Sequence, residues 1–224
     1  MTKQTKILLI LIFTALTNFC IGQDSTLNFR NQIKFSPLRV IDLVNPGLEI
    51  SYERKHNNKF STQLSIANMI GIIYRPYDNY MGIRLSIEEK KYFLKYKKCF
   101  KPYYATEIVY YNTNFTTVST FGYKNRFVDT LAYTYNYEDT FSVHKTTLAL
   151  NLKLGFEIQI RKHFIFEVYA GIGIKYKNVQ HGNRLVPSDE MEMPRHPNAY
   201  YIAIVEGNYL IINIPANFKI GYLF

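Results

Sequence analysis

A strict alternation of apolar and polar side chains runs through "TLALNLKLGFEIQIRKHFIFEVYAGIGIKYK", residues 147–177. Successive side chains of a β-strand point to opposite faces, so this period of two predicts strands with one apolar face. The alternation stops at residues 162–163 and then resumes. We therefore expect two long strands joined by a tight hairpin.

The same alternation recurs in shorter stretches, and together they predict eight strands. Clear examples are "GLEISYERK", "MGIRLSIEE" and "PYYATEIVYY", and the closing strand is expected from about Tyr209 to Phe224. The opening strand, residues 29 to about 40, is less regular. It contains Pro37, a residue that favours a strand end or a bulge.

The predicted connections differ in length in a regular way. Counted back from Phe224, the segments 112–143 and 178–207 are long and lie on one side of the sheet, whereas every turn on the other side is short. Short periplasmic turns and longer outer loops are typical of bacterial outer-membrane barrels. The predicted fold is therefore all-β, an eight-stranded antiparallel transmembrane β-barrel with two long extracellular loops.

The first residues have the features of an export signal. Lys3 and Lys6 precede an apolar run, residues 7–16, and the small residues Cys20 and Gly22 fit cleavage before Gln23. We predict a signal peptide over residues 1–22 and one barrel domain over residues 23–224. Export argues against nucleic acid as the partner of this basic chain, so we expect outer-membrane lipid and lipopolysaccharide instead.

The chain ends in "NFKIGYLF", and four of its large apolar residues share one face: Phe218, Ile220, Tyr222 and Phe224. This ending resembles the C-terminal signature of bacterial outer-membrane proteins, and the resemblance implies recognition by the barrel-assembly machinery. With "NQIKFSPLRV", "LEISYERK" and "YAGIGIKY", the chain resembles the small outer-membrane β-barrel family of Bacteroidetes type, an OmpA/OmpX-like eight-stranded barrel domain of unknown function. The resemblance implies location in the bacterial outer membrane. It transfers no catalytic residue.

The polar faces of the predicted strands carry nearly balanced acids and bases. We expect these side chains to point into the barrel and to pair, because unpaired buried charge is costly. The predicted interior charge network contains Glu49, Glu53, Arg84, Glu88, Glu107, Lys153, Glu157, Arg161, Glu167, Lys175 and Lys219. A narrow interior filled in this way leaves no open pore.

The favoured function is therefore a structural or surface-interaction role for a monomeric barrel, exerted through its outer loops. We expect contacts from aromatic and charged loop residues, namely Phe121, Tyr123, Arg126, Tyr135, Arg184 and Arg195. The sequence predicts no cofactor and no metal, because His181, Asp189, Glu190, Glu192 and His196 lack a recognised ligand spacing.

Three alternatives stay open at this point. Ser142 and His144, two positions apart on a strand, share a face and are the only catalytic candidates; outer-membrane lipid A deacylases use such a pair, though in the reverse order. They are expected to face lipid near the outer rim. A soluble calyx of lipocalin type fits the same alternation with inside and outside exchanged. Passage of a small solute is the third alternative.

Overall fold

The computed structural model describes residues 30–41, 45–70, 78–93, 100–124, 133–160, 162–192 and 204–224. The predicted signal peptide, Arg126, Arg161, Arg195 and His196 lie outside the described residues. In the described part of the chain, no helix is long and apolar enough to cross a membrane.

The chain folds into a closed antiparallel β-barrel with eight strands in its wall. Seven of them follow the chain order and pair with their neighbours: β1 (Asn31–Phe35), β2 (Gly47–Lys55), β3 (Phe60–Ile70), β4 (Asp78–Tyr92), β5 (Phe100–Lys124), β6 (Tyr133–Gln159) and β7 (Phe164–Gly182). The eighth consists of β9 (Gly207–Asn213) and β10 (Ala216–Leu223), and β10 pairs with both β7 and β1. The predicted eight-stranded antiparallel β-barrel is confirmed.

The first and last wall strands are shorter and less continuous than the sequence suggested. β1 ends at Phe35, and Pro37–Ile41 form a 3-10 helix where a longer strand was predicted. The closing strand is interrupted at residues 214–215. Proline explains both differences, because Pro37 and Pro215 have no N–H to donate to a neighbouring strand.

The predicted long loop 112–143 is wrong, because most of it forms strand. β5 and β6 pair continuously from Phe100↔Ile158 to Gly122↔Asn136 and extend well past the β3–β4 hairpin. The sequence hid this hairpin because its inner face mixes Thr113, Phe115 and Thr117, so apolar and polar residues do not alternate there. We call this end of the barrel the hairpin end and the opposite end, which holds both Arg30 and Phe224, the terminus end.

Side-chain burial shows which face of the wall is inside. Charged residues such as Glu49 and Lys153 are buried, whereas aliphatic residues of the opposite face, such as Ile50 and Leu152, are more than half exposed. The charged face therefore lines the interior and the apolar face forms the outer surface. A lipocalin-type calyx needs the reverse arrangement, so that alternative is wrong.

Candidate functional site

A cluster of charged and phenolic side chains fills the interior near the terminus end. We call it the charged plug; its members are Lys34, Glu53, Lys90, Tyr92, Tyr103, Glu157 and Glu167, all buried. Lys34 Nζ lies 2.5 Å from Glu53 Oε2 and 2.7 Å from Glu157 Oε1, and it also contacts Glu167. Lys90 Nζ lies 2.8 Å from Glu53 Oε2 and 2.7 Å from Glu167 Oε1.

Two tyrosines complete the charged plug. The Tyr92 hydroxyl lies 2.6 Å from Glu53 Oε1 and 2.8 Å from Glu157 Oε1, and the Tyr103 hydroxyl donates to Glu167. The three carboxylates thus receive hydrogen bonds from ammonium groups and phenols. Buried charge is tolerated when it is paired and hydrogen-bonded in this manner.

A second group of paired charges lies next to the charged plug, nearer the hairpin end. Arg84 donates to Glu49 at 2.7 Å and to Glu107 at 3.0 Å, and Lys153 Nζ lies 3.0 Å from Glu88 Oε2 and 2.7 Å from Glu107 Oε2. Together with Lys219, these residues form the middle network, and all are buried. Lys175 is half-buried on the same inner face, with no ion pair or hydrogen bond to a described residue.

Sequence reasoning missed Lys34, Lys90 and both tyrosines of the charged plug. A signal for Lys34 was present, since Gln32, Lys34 and Ser36 alternate with Ile33 and Phe35. Lys90 continues the inner face of β4 two positions beyond Glu88, where the predicted strand had already ended. For Lys90, the error was therefore one of strand length and not of strand phase.

The carboxylates of Glu53, Glu157 and Glu167 also have the arrangement of a possible metal site. One oxygen from each lies within 4.8 Å of the others. Lys34 Nζ contacts all three carboxylates, however, and therefore already supplies the cation that such a cluster requires. The residues do not fit a metal centre.

A separate apolar cluster closes the interior at the hairpin end. We call it the apolar plug; its members are Ala67, Met69, Tyr80, Phe115, Phe121, Phe141, Val143, Val179 and Ile204. Phe121 packs edge-on against Phe141, with ring centroids 5.1 Å apart. Phe121 is fully buried, so the prediction that it serves as a loop contact is wrong.

The segment after β7 crosses the mouth of the barrel and covers the apolar plug. Its two-residue strand β8 (Glu190–Met191) pairs with the edge of β5 that β4 leaves free. The Arg184 guanidinium lies 3.3 Å from the centroid of the Phe121 ring and its Nε lies 3.1 Å from Asp139 Oδ2. The buried Arg184 side chain thus holds this segment against β5 and β6. Tyr135 is about half exposed.

Between the two plugs lies a cavity of ≈330 Å³, which we call the side cavity. Its lining contains the cations Arg39, Arg84, Lys145, Lys175 and Lys177 and one carboxylate, that of Glu107. Ile211, Ile214, Pro215 and Ala216, at the junction of β9 and β10, contribute the apolar part of the lining.

Ser142 and His144 lie on the outer face of β6, beyond the apolar surface and near the hairpin end. His144 Nδ1 contacts Asn114 Oδ1 on β5, and its Nε2 lies 3.4 Å from Thr146 Oγ1. Both imidazole nitrogens are thus placed against neighbours other than the Ser142 hydroxyl. A serine nucleophile needs a base within hydrogen-bond reach, and this arrangement does not provide one.

The four residues of the predicted assembly signal lie on the outer face at the terminus end. Phe218 packs against Phe166 with ring centroids 5.5 Å apart, and Tyr222 stacks on His163 at 5.2 Å. Phe224 is about half exposed, and its backbone N–H donates to Asn31 O at 3.0 Å. The last strand therefore closes the barrel by pairing with β1.

No protein-family model and no curated protein matches this chain. Among solved structures, the chain is similar to the N-terminal β-barrel domain of Pseudomonas aeruginosa OprF, with 9% identity and a TM-score of 0.38. The match covers 87% of this chain and 96% of the other.

Proposed function

We propose that this chain is a monomeric protein of the bacterial outer membrane whose barrel is closed to solutes and whose β5–β6 hairpin acts at the cell surface. The observation that carries the proposal is the polarity of the wall. Over residues 148–156 of β6, all five outward side chains are apolar, namely Leu148, Leu150, Leu152, Leu154 and Phe156. A strand that crosses a membrane is about 9–11 residues long, and residues 148–156 reach that length.

Aromatic residues mark the edges of this apolar surface. Phe93 and Tyr104 pack together at the terminus end with centroids 5.7 Å apart, as do Phe100 and Phe156 at 5.4 Å. Tyr110 and Tyr176 stand toward the hairpin end. Aromatic girdles at both interfaces are typical of barrels in the outer membrane.

The hairpin end supports a role in surface interaction. Past the apolar surface, the outward residues of β6 become polar, with His144, Ser142 and Thr140 in succession. This polar rim projects as a paired hairpin, whose register is fixed by β5, β6 and β8. Such a rigid, solvated projection is suited to contact lipopolysaccharide or another surface partner.

Membrane fractionation followed by gel electrophoresis of boiled and unboiled samples tests the proposal. A closed membrane barrel resists SDS until it is heated, so we expect the protein in the outer-membrane fraction and a faster unboiled band. Recovery as a soluble protein without a heat-dependent shift would contradict the proposal.

A further inference from the structure

Along β6 and β7, the side cavity lies between the apolar plug and the charged plug. Along β6 the order from hairpin end to terminus end is Val143 of the apolar plug, then Lys145 of the cavity, then Glu157 of the charged plug. Along β7 the order is the same, with Val179, Lys177 and Glu167. On this side of the barrel, the described residues leave the wall as the route to the cavity.

The wall is weakest beside this cavity. β1 and β10 pair over four positions only, from Gln32↔Leu223 to Phe35↔Ile220. Nearer the hairpin end, β9 pairs with β7 alone among the described strands. The 3-10 helix Pro37–Ile41 takes the place of a wall strand there and turns Arg39 toward Glu49, with Arg39 Nε 3.3 Å from Glu49 Oε2.

The cavity reaches the outer surface at this weak seam. Ile214 lies on the outer face and is 76% exposed, yet it lines the same cavity as the inward-facing Lys175. Pro215 and Ala216 complete the rim. The strand pairs Ile212↔Ile174 and Ala216↔Ala170 place this rim level with Leu152 and Leu154, within the apolar surface.

The chemistry of the cavity changes from its interior to its rim. Five cations and one carboxylate line it, and the buried Nε of Arg84 makes no hydrogen bond to a described residue. The rim is apolar. A basic pocket that opens sideways into hydrocarbon is complementary to an acidic headgroup attached to an acyl chain.

We propose that the side cavity binds an anionic amphiphile, with its phosphate or carboxylate group near Lys175 and Lys177 and its acyl chain leaving past Ile214 and Ala216. This inference rests on the proposed membrane location, because the chain must enter a lipid phase.

Native mass spectrometry of the full-length protein in a non-ionic detergent tests the inference, with dodecyl phosphate, inorganic phosphate and a neutral dodecyl glycoside as probes. We expect dodecyl phosphate to bind and the other two to bind at least about tenfold more weakly, as expected when both charge and chain contribute. Equal binding of inorganic phosphate and dodecyl phosphate would show a site for soluble anions. It would overturn the proposal that the side cavity binds an amphiphile.

Two sets of variants locate the site. The double variant Lys175→Gln/Lys177→Gln should weaken dodecyl phosphate binding by at least about tenfold, whereas Lys91→Gln/Lys162→Gln, which removes two exposed charges elsewhere, should leave it unchanged. Ala216→Trp fills the rim and should weaken binding without removing charge. Equal affinity in all these variants would overturn the inference.

Each variant is first checked for its heat-dependent band shift, so that only closed barrels are compared. A closed barrel in the outer membrane that binds no dodecyl phosphate overturns this inference and leaves the proposed function standing. A soluble protein without the shift overturns both.

Discussion

Lys34 Nζ donates a hydrogen bond to Glu157 Oε1 at 2.7 Å and so joins β1 to β6 across the barrel interior, 123 positions apart in the chain. The same ammonium group contacts Glu53 on β2 and Glu167 on β7. β1 has only five residues and shares four pairs with β10. The charged plug therefore stabilises the attachment of β1, the short strand that closes the barrel, in addition to filling the interior.

Lys34→Met should destabilise the closed barrel strongly. Removing one partner of a buried ion pair costs about 3–5 kcal/mol, because the remaining charges stay buried without compensation. Urea unfolding of the protein refolded in detergent measures the loss. Lys91→Met, a change of the same kind at an exposed position, is the control and should cost little. Equal stability of the two variants would contradict the role of Lys34 in stabilising the attachment of β1.

Leu152→Arg should be costly, and Thr140→Arg should not. Both residues lie on the outer face of β6, but only Leu152 lies within the apolar surface. Arginine at the membrane midplane costs about 2–4 kcal/mol and falls to about 0–1 kcal/mol near the interface. Unfolding equilibria in lipid vesicles measure both variants. A similar cost at the two positions would argue against a membrane-embedded wall.

The barrel should show no steady unitary conductance in planar bilayers, because two separate plugs close its interior. Lys90→Ala/Tyr103→Ala opens the charged plug alone, and Phe121→Ala/Phe141→Ala opens the apolar plug alone. We expect each double variant to remain silent, because the other plug and the middle network still fill the interior. Conductance of the unaltered protein would instead favour transport of a small solute.

Ser142→Ala should leave lipid A acylation unchanged, because both nitrogens of the His144 ring lie against other neighbours. Mass spectra of lipid A from strains that carry the original or the altered protein provide the measurement. Asn114→Ala, which frees one ring nitrogen of His144, is the matched control and should also have no effect. Loss of a deacylated species in the Ser142→Ala strain would establish the enzymatic alternative.

Deletion of Phe224 should reduce assembly in cells but have little effect on refolding in detergent. Its side chain is about half exposed on the outer face, and we propose that the barrel-assembly machinery recognises it there. The amount of heat-modifiable protein in the outer membrane measures assembly. Phe164→Ala removes an outward aromatic residue from the same end and serves as the control. An equal reduction in both variants would assign the effect to general apolar packing.

Much of the fold follows from alternation in the sequence. The strands around "GLEISYERK" and "NLKLGFEIQI" have one face that is apolar and one that is charged, so their phase is determined by the residues alone. The same period cannot say which face is inside, because exchanging the two leaves the pattern intact. Burial of Glu49 and exposure of Ile50 settle that point.

Strand length was harder to predict where the two faces have similar chemistry. The β5–β6 hairpin continues through "NTNFTTVSTFG" because the backbone groups of the two strands pair with each other along this stretch. Both Thr113 and Phe115 are buried in the interior. Pairing is a property of two segments together. Strand pairing therefore cannot be predicted from one segment alone.

The sequence by itself determined that this chain forms a sheet of amphipathic strands, because each residue's place on one of two faces follows from its position in a period of two. Only the tertiary structure decided which charges meet, since Lys34, Glu157 and Glu167 lie on three strands that closure of the barrel brings together. It also decided that the wall is weak beside Ile214, because the end of β1 and the break at Pro215 coincide only when the last strand returns to the first.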